Sequence, residues 1–189
     1  MRDKIVFDIE TKNTFDDVGG QANIGKLETS VVGVYSYAND SYTAYDENEF
    51  ERLGLVLQGA YPLIGFYSKK FDVPVMEKYF SFSLSAIPHY DILEEIEKYL
   101  GRRIGLGVLA EANLGVGKSA HGLQAIEFYR NGEMQKLKEY CLQDVRLTKE
   151  IYDLIRNQGY LWIPERYTSK MTKLEIPFME LTPPQAQLL

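Results

Sequence analysis

The segment KIVFDIET, residues 4–11, joins an apolar run to two acidic residues. The apolar run predicts a buried β-strand from Lys4 to Ile9. Because residues two apart in a strand share a face, Asp8 and Glu10 project side by side. Two neighbouring carboxylates in a buried strand repel each other and lose hydration unless a cation joins them. The segment therefore indicates a metal site; the alternative is a strand end that emerges into solvent.

A further acidic position lies late in the chain, in EYCLQDVRLTKEIY, residues 139–152. We predict a long helix over roughly Glu133–Gln158, in which Tyr140 and Asp144 stand four residues apart on one face. Apolar residues that follow, beginning with Val145, place Asp144 close to the buried side of this helix. The alternative is a surface hydrogen bond between residues one helical turn apart.

A third segment, GFYSKKFDVPVM, residues 65–76, places Asp72 after an apolar strand and at the start of a predicted helix. An aspartate at a helix start is also a common N-cap, because its carboxylate accepts hydrogen bonds from the first backbone N–H groups. The N-cap is therefore the structural alternative to a functional role for Asp72.

Together these segments resemble the DEDD exonucleases of the RNase H-like fold, in the subtype whose last motif carries tyrosine. VFDIET is similar to the first motif of that family, GFYSKKFDVPVM to the second, and YCLQDVRLT to the third. The form of the second motif resembles the proofreading domains of family B DNA polymerases and their stand-alone relatives. The histidine subtype would need histidine where Glu139 stands. The resemblance spans about residues 4–158.

The resemblance implies a site that binds two divalent cations, Mg²⁺ or Mn²⁺, which an all-carboxylate set suits. It implies that Asp8 bridges both ions and that Glu10 and Asp144 complete one of them. Asp72 would anchor the second ion, largely through water. Tyr140 would orient the attacking water.

The same resemblance implies substrate-binding roles for Thr11, Phe66, Tyr67 and Phe71. Phe66 and Tyr67 are aromatic and suited to stacking on a terminal base, as in proteins that bind single strands; for Phe66, core packing is the alternative. Relatives often carry asparagine where Tyr67 stands, five residues before Asp72, so the substrate contacts of this chain are expected to differ.

The order of predicted elements gives an α/β or α+β domain with a mixed sheet. The resemblance implies the α/β form, an RNase H-like mixed sheet flanked by helices. Residues 1–159 are predicted to form the exonuclease domain. Residues 160–189 are predicted to form a strand or hairpin extension and a tail of the same domain. A turn signal at Asn39-Asp40 predicts a hairpin between two strands rich in β-branched and aromatic residues.

The segment ANLGVGKSA, residues 112–120, matches a loose form of the phosphate-binding loop of nucleotide triphosphatases. Such a loop needs a buried strand before it, but Leu106, Leu109 and Leu114 recur at helical spacing. We therefore interpret the segment as a loop that follows a helix ending near Gly115. Nucleotide hydrolysis is the least favoured of the functions considered.

Composition limits the class of protein. The hydrophobic content of 45% and charged content of 25% are those of an ordinary globular domain, with no apolar stretch long enough for a membrane span. The net charge of −6 argues against a general nucleic-acid coat protein. The single cysteine, Cys141, excludes an internal disulfide and favours a reducing, cytoplasmic location.

The predicted function is that of a metal-dependent 3′–5′ exonuclease that acts on single-stranded ends, with DNA favoured over RNA. The alternative is a nucleic-acid-binding or polymerase-associated module that keeps the fold without significant catalysis. A complete set of four acids argues against that alternative.

Overall fold

A five-stranded mixed sheet forms the centre of the protein. The computed structural model describes residues 2–116, 122–165, 168 and 170–181. The sheet has the order β3-β2-β1-β4-β5, in which β1, β2 and β3 pair antiparallel and β4 and β5 add parallel to β1. Its strands are β1 (Asp3–Thr11), β2 (Thr29–Ser36), β3 (Ser41–Asp46), β4 (Ala60–Gly65) and β5 (His89–Asp91). This arrangement confirms the predicted α/β fold and mixed RNase H-like sheet.

Helices cover the sheet, and a small hairpin follows the last of them. The helices are α1 (Phe50–Gln58), α2 (Asp72–Met76), α3 (Ile92–Leu100), α4 (Leu106–Leu114), α5 (Gly122–Arg130) and α6 (Met134–Gln158). The hairpin consists of β6 (Tyr160–Pro164) and β7 (Met171–Glu175). Among the described residues, no helix is both long enough and apolar enough to cross a membrane.

The two faces of β1 serve different purposes because its side chains alternate. Ile5, Phe7 and Ile9 belong to a core that β1 shares with α1 and α2. Val6 points to the opposite face and joins the core built on α6. Asp8 and Glu10 continue the row that Val6 begins, so they face α6 at the end of an apolar strand.

The β6–β7 hairpin packs on the same core as α6. Leu161 and Ile163 of β6 and Ile176 after β7 are all buried in that core. The separation of residues 160–189 as an extension of the domain stays a prediction.

Several local predictions differ from the structure. β1 continues to Thr11, two residues beyond the predicted end, so both acids lie within the strand. α2 is a single short turn whose N-cap is Phe71, and Asp72 is its first residue rather than its cap. Residues 12–25, a polar and glycine-containing segment for which the sequence predicts a long loop, contain the start of a short 3₁₀ helix at Gln21.

The Gly-Lys-Ser segment does not follow a strand. α4 precedes it, and this helix ends at Gly115 in a left-handed conformation (φ 67°), as predicted. Lys118 and Ser119 lie outside the described residues. The helix in place of a strand removes the structural context that a phosphate-binding loop requires.

At Gly33, α6 lies directly against β2. A Cβ atom built at Gly33 would lie 2.7 Å from Val145 Cγ2 and 3.0 Å from Cys141 Sγ, which is closer than side chains tolerate. Gly33 pairs with Asp8 across the two strands, and directly paired residues share a face. The missing side chain therefore lets α6 approach the strand that carries Asp8.

We expect Gly33→Ala to destabilise the protein, because the added methyl group overpacks the contact between β2 and α6. Overpacking costs about 1–3 kcal/mol, which corresponds to a melting temperature lower by roughly 2–12 °C for a domain of this size. Gly25→Ala is the matched control, since nothing lies within 4 Å of its added Cβ. Equal melting temperatures for the two variants would contradict the close packing of α6.

Candidate active site

Three carboxylates meet where β1 faces α6. Asp8 and Glu10 come from β1 and Asp144 from α6, and one oxygen of each lies within 4.8 Å of the others. Glu10 and Asp144 are buried, at 9% and 5% exposure. The structure thus brings together three of the four acids that the sequence singled out.

The chemistry of this cluster fits a hard divalent cation. Carboxylate oxygens are the ligands that Mg²⁺ and Mn²⁺ prefer, and a cation offsets the repulsion among three like charges. The nearby Cys141 donates its thiol to the backbone oxygen of Asp8 at 3.5 Å. Burial, together with the charges of Asp8 and Glu10, raises the pKa of Cys141 well above its ordinary value. The thiol therefore stays neutral, and the donor set is oxygen only.

Asp72 lies beside this cluster but is not part of it. Its Oδ1 accepts a hydrogen bond from the backbone N–H of Ile9 at 3.2 Å, between the two acids of β1. The side chain is only 4% exposed. Burial raises the pKa of Asp72 to about 7, and the negative charge of Asp91 adds to the effect. Without a cation, ionised Asp72 is therefore an unfavourable group near neutral pH.

Tyr140 stands one helical turn before Asp144 on the buried side of α6. It is 7% exposed, and its ring meets Phe128 of α5 edge-on, with 6.5 Å between ring centroids. Leu137, on the same side of α6, shares this small core. The predicted pairing of Tyr140 and Asp144 on one face of α6 is therefore present.

A cleft of about 470 Å³ opens on one side of the carboxylates. It contains Phe66 and Tyr67, two of the predicted substrate-binding residues, together with two of the acids. Its lining is Asp8, Phe66, Tyr67, Leu93, Arg103, Ile104, Gly105, Leu106 and Asp144.

A second cleft of about 410 Å³ opens beside Glu10. It contains Thr11 and Phe71, the other two predicted substrate-binding residues, and is mainly apolar. Its lining is Ile9, Glu10, Thr11, Asn13, Thr14, Phe15, Leu27, Phe71, Leu123 and Ile126. The four predicted residues are thus divided between two clefts that flank one acidic cluster.

Tyr67 adopts an unusual backbone conformation. Its φ of 63° is left-handed, which residues with a Cβ atom rarely adopt. Asparagine tolerates this region better than most residues, which gives a physical reason for asparagine at this position in the family that the sequence resembles. In this chain Asp91 accepts hydrogen bonds from the backbone N–H groups of Tyr67 and Lys69, at 2.9 and 3.0 Å, and fixes the turn.

Two residues of this region did not stand out as site residues in the sequence. Arg103 lines the first cleft, and Asp91 both fixes the Tyr67 turn and caps α3 through the N–H groups of Leu93 and Glu94. Asp91 before an apolar helical segment has the signature of an N-cap, which could have identified its structural role. Arg103 follows a helix end and carries no periodic signal.

Known structures resemble this fold at low sequence identity. The family B DNA polymerase from the hyperthermophilic archaeon Pyrobaculum calidifontis matches 82% of this chain with 16% identity and a TM-score of 0.63. The chain covers only 25% of that polymerase. S. pombe Pop2p, in its Mg²⁺- and Mn²⁺-bound form, matches 82% of this chain and 83% of its own, with 11% identity and a TM-score of 0.51.

These matches confirm the predicted resemblance at the level of the fold. No curated protein sequence gives a significant match. A family model does match, over residues 5–156, and it includes every element from β1 to nearly the end of α6. The chain belongs to the RNase_H superfamily.

Proposed function

We propose that this chain is a metal-dependent exonuclease that removes nucleotides from the 3′ end of single-stranded nucleic acid, with DNA favoured over RNA. The observation that carries the proposal is the cluster of Asp8, Glu10 and Asp144, whose oxygens lie within 4.8 Å of one another. Three carboxylates held this close, two of them buried, are costly to keep unless they bind a cation. Clefts on both sides of the cluster give a nucleic-acid strand room to cross it.

The proposed cations are two Mg²⁺ or Mn²⁺ ions. When bound, they would polarise the scissile phosphate and the attacking water. In this proposal Asp8 would be shared by both ions, and Glu10 and Asp144 would complete one of them. The all-oxygen donor set supports this assignment. So does the fold-level match to Pop2p, whose structure contains Mg²⁺ and Mn²⁺.

Asp72 and Tyr140 have supporting roles in this proposal. Asp72, held against β1 by the N–H of Ile9, would reach the second ion through water. The phenol of Tyr140 would orient the attacking water from the turn before Asp144. Both side chains are buried, so their positions are fixed before a substrate arrives.

The proposed substrate is a single strand because paired ends must first open before a terminal nucleotide reaches buried carboxylates. Phe66 and Tyr67 in one cleft, and Phe71 in the other, offer aromatic surfaces for bases. The preference for DNA is supported by the match to part of a DNA polymerase. The cytoplasmic location inferred from the single cysteine stays a prediction.

We expect the purified chain to shorten a single-stranded DNA from its 3′ end when Mg²⁺ or Mn²⁺ is present. Strands labelled at the 5′ end should yield a ladder of shorter products, and EDTA should stop the reaction. Asp144→Asn should lower the rate about a thousandfold, because metal stabilisation of the transition state is worth several kcal/mol and about 1.4 kcal/mol is tenfold. Mn²⁺ should raise the melting temperature of the parent far more than that of Asp144→Asn.

Two outcomes would contradict the proposal in different ways. Shortening from the 5′ end, or equal rates in EDTA, would exclude the proposed reaction. Strand binding without shortening, together with no effect of Mn²⁺ on melting, would support the nucleic-acid-binding module without catalysis.

We expect Tyr140→Phe to be less damaging than Asp144→Asn. The phenol positions water without binding a cation, and the loss of such a supporting contact costs roughly tenfold to a hundredfold. The ring contact with Phe128 is kept in Tyr140→Phe, so the fold should not change. Single-turnover rates of both variants at saturating Mn²⁺ test the ranking, and a reversed order would refute the assigned roles.

The raised pKa of Asp72 predicts a stability effect that depends on pH. An acid whose pKa is raised to about 7 on folding destabilises the metal-free fold above pH 7. The penalty is relieved as pH falls from about 7 towards the unfolded value. Asp72→Asn keeps an oxygen for the Ile9 N–H but carries no charge. It should therefore melt several degrees above the parent at pH 8 in EDTA, with each 1 kcal/mol worth about 2–4 °C.

That advantage should shrink at pH 4.5, where the carboxyl of the parent is protonated in the folded state. Asp16→Asn is the matched control because Asp16 is exposed, and surface changes stay within about 0.5 kcal/mol. Equal melting temperatures for Asp72→Asn and the parent at both pH values would contradict the buried, charged position of Asp72.

A further inference from the structure

Arg103 is the one arginine or lysine that lines the cleft containing Asp8 and Asp144, within the described part of the chain. Its guanidinium lies on the ring of Tyr67, with Cζ 4.5 Å from the ring centroid. Nη1 donates to the Tyr67 hydroxyl at 2.8 Å, and Nε donates to Glu97 Oε1 at 2.9 Å. These contacts hold a side chain that is still 54% exposed.

The support for Arg103 begins in the turn of Tyr67. The left-handed conformation at Tyr67 costs free energy unless its surroundings fix it. Asp91 fixes this conformation by accepting hydrogen bonds from the backbone N–H groups of Tyr67 and Lys69. Because Asp91 also caps α3, the backbone of Tyr67 is anchored to the helix that carries Glu97. Both partners of Arg103 thus stand on one rigid unit.

The guanidinium keeps capacity for a ligand. Of its five N–H donors, the contacts to Glu97 and Tyr67 described above use two. A guanidinium binds a phosphate through two parallel hydrogen bonds, and stacking on an aromatic ring orders it for that purpose. A structural role alone, as a surface ion pair with Glu97, would explain neither the stacking nor the position in the cleft.

The second cleft has a different character. Its lining contains no lysine or arginine among the described residues and is mostly apolar. Among the described residues that line the two clefts, the basic group able to bind a strand phosphate is therefore on the Arg103 side. The apolar cleft suits a base or sugar.

We propose that Arg103, ordered by Tyr67 and Glu97, binds the strand phosphate next to the scissile one and positions the strand over the carboxylates. This inference rests on the proposed exonuclease function. It assigns a positioning role to Arg103, which acts by holding the substrate and takes no part in bond cleavage.

The test measures binding of a 5′-fluorescein-labelled oligodeoxythymidine to the whole chain, by anisotropy, with Ca²⁺ in place of the proposed cations. Arg103→Ala should weaken binding about tenfold or more, as expected for the loss of hydrogen bonds to a charged group. The affinity of Arg103→Lys should lie between those of the parent and Arg103→Ala, because lysine keeps the positive charge but lacks the paired donors of arginine. Arg102→Ala is the matched control, since the Arg102 side chain donates to the backbone oxygens of Arg103 and Pro164 and does not line the cleft. It should bind within about twofold of the parent.

Two further measurements separate a substrate contact from a structural role. The slope of log affinity against log salt should fall by about 0.7 in Arg103→Ala, as for one lost contact with a single strand. A strand with one neutral methylphosphonate, at the linkage next to the scissile one, should bind the parent about tenfold more weakly. The same change should hardly affect Arg103→Ala, and a neutral linkage far from the 3′ end should affect neither protein.

If Arg103→Ala and Arg102→Ala bind alike with equal salt slopes while 3′ shortening persists, the inference is wrong and the proposed function stands. A parent that neither binds nor shortens the strand would overturn both. If Arg103→Ala melts too low to be used, binding of the parent protein to the strands with a neutral linkage still tests the inference. Equal binding of the strands with near and distant neutral linkages would overturn the inference.

Discussion

The close approach of α6 to the sheet at Gly33 is the constraint on which the site depends. No side chain separates β2 from Val145 and Cys141 at this position, so α6 lies against the strands themselves. Gly33 pairs with Asp8, and the face left open by its missing side chain is the face on which Asp8 projects. Asp144, on the turn after Cys141, can therefore reach the acids of β1. A larger residue at Gly33 would separate the two elements that supply the cluster.

The alternation of β1 explains how one strand serves both a core and a polar site. One face, with Ile5, Phe7 and Ile9, is fully committed to packing on α1 and α2. The other begins with Val6 in the core of α6 and ends in acids. Since the apolar face fixes the register of the strand, a slip of one residue would turn the acids towards α1 and α2 and the large apolar side chains towards α6. The packing of the apolar face thus positions the carboxylates, even though the contacts among the carboxylates themselves are unfavourable.

The sequence predicted the features that depend on local pattern. The order of strands and helices follows from the periodicity of apolar residues. The acids were found because each lies in or next to an apolar strand or helix, and the spacing of the apolar residues indicates which side of that element is buried. The role of Gly33 was missed, since one glycine in a strand does not reveal which helix lies above it. The partnership of Tyr67 and Arg103 was missed for a related reason. It depends on a left-handed turn fixed by Asp91, and no local pattern joins residues so far apart in the chain.

The charge of the whole protein bears on how a strand would reach the site. A net charge of −6 opposes the approach of a polyanion, so long-range attraction cannot supply the binding energy. On the proposed function, the attraction has to be local, from the cations at Asp8 and Asp144 and from the guanidinium of Arg103. Lys69 lies near the same turn, but its ammonium pairs with Glu94 at 2.5 Å, and unlike Arg103 it lines neither cleft. Local attraction of this kind would make binding depend on the same ions as the proposed reaction, so a strand would bind only weakly without metal.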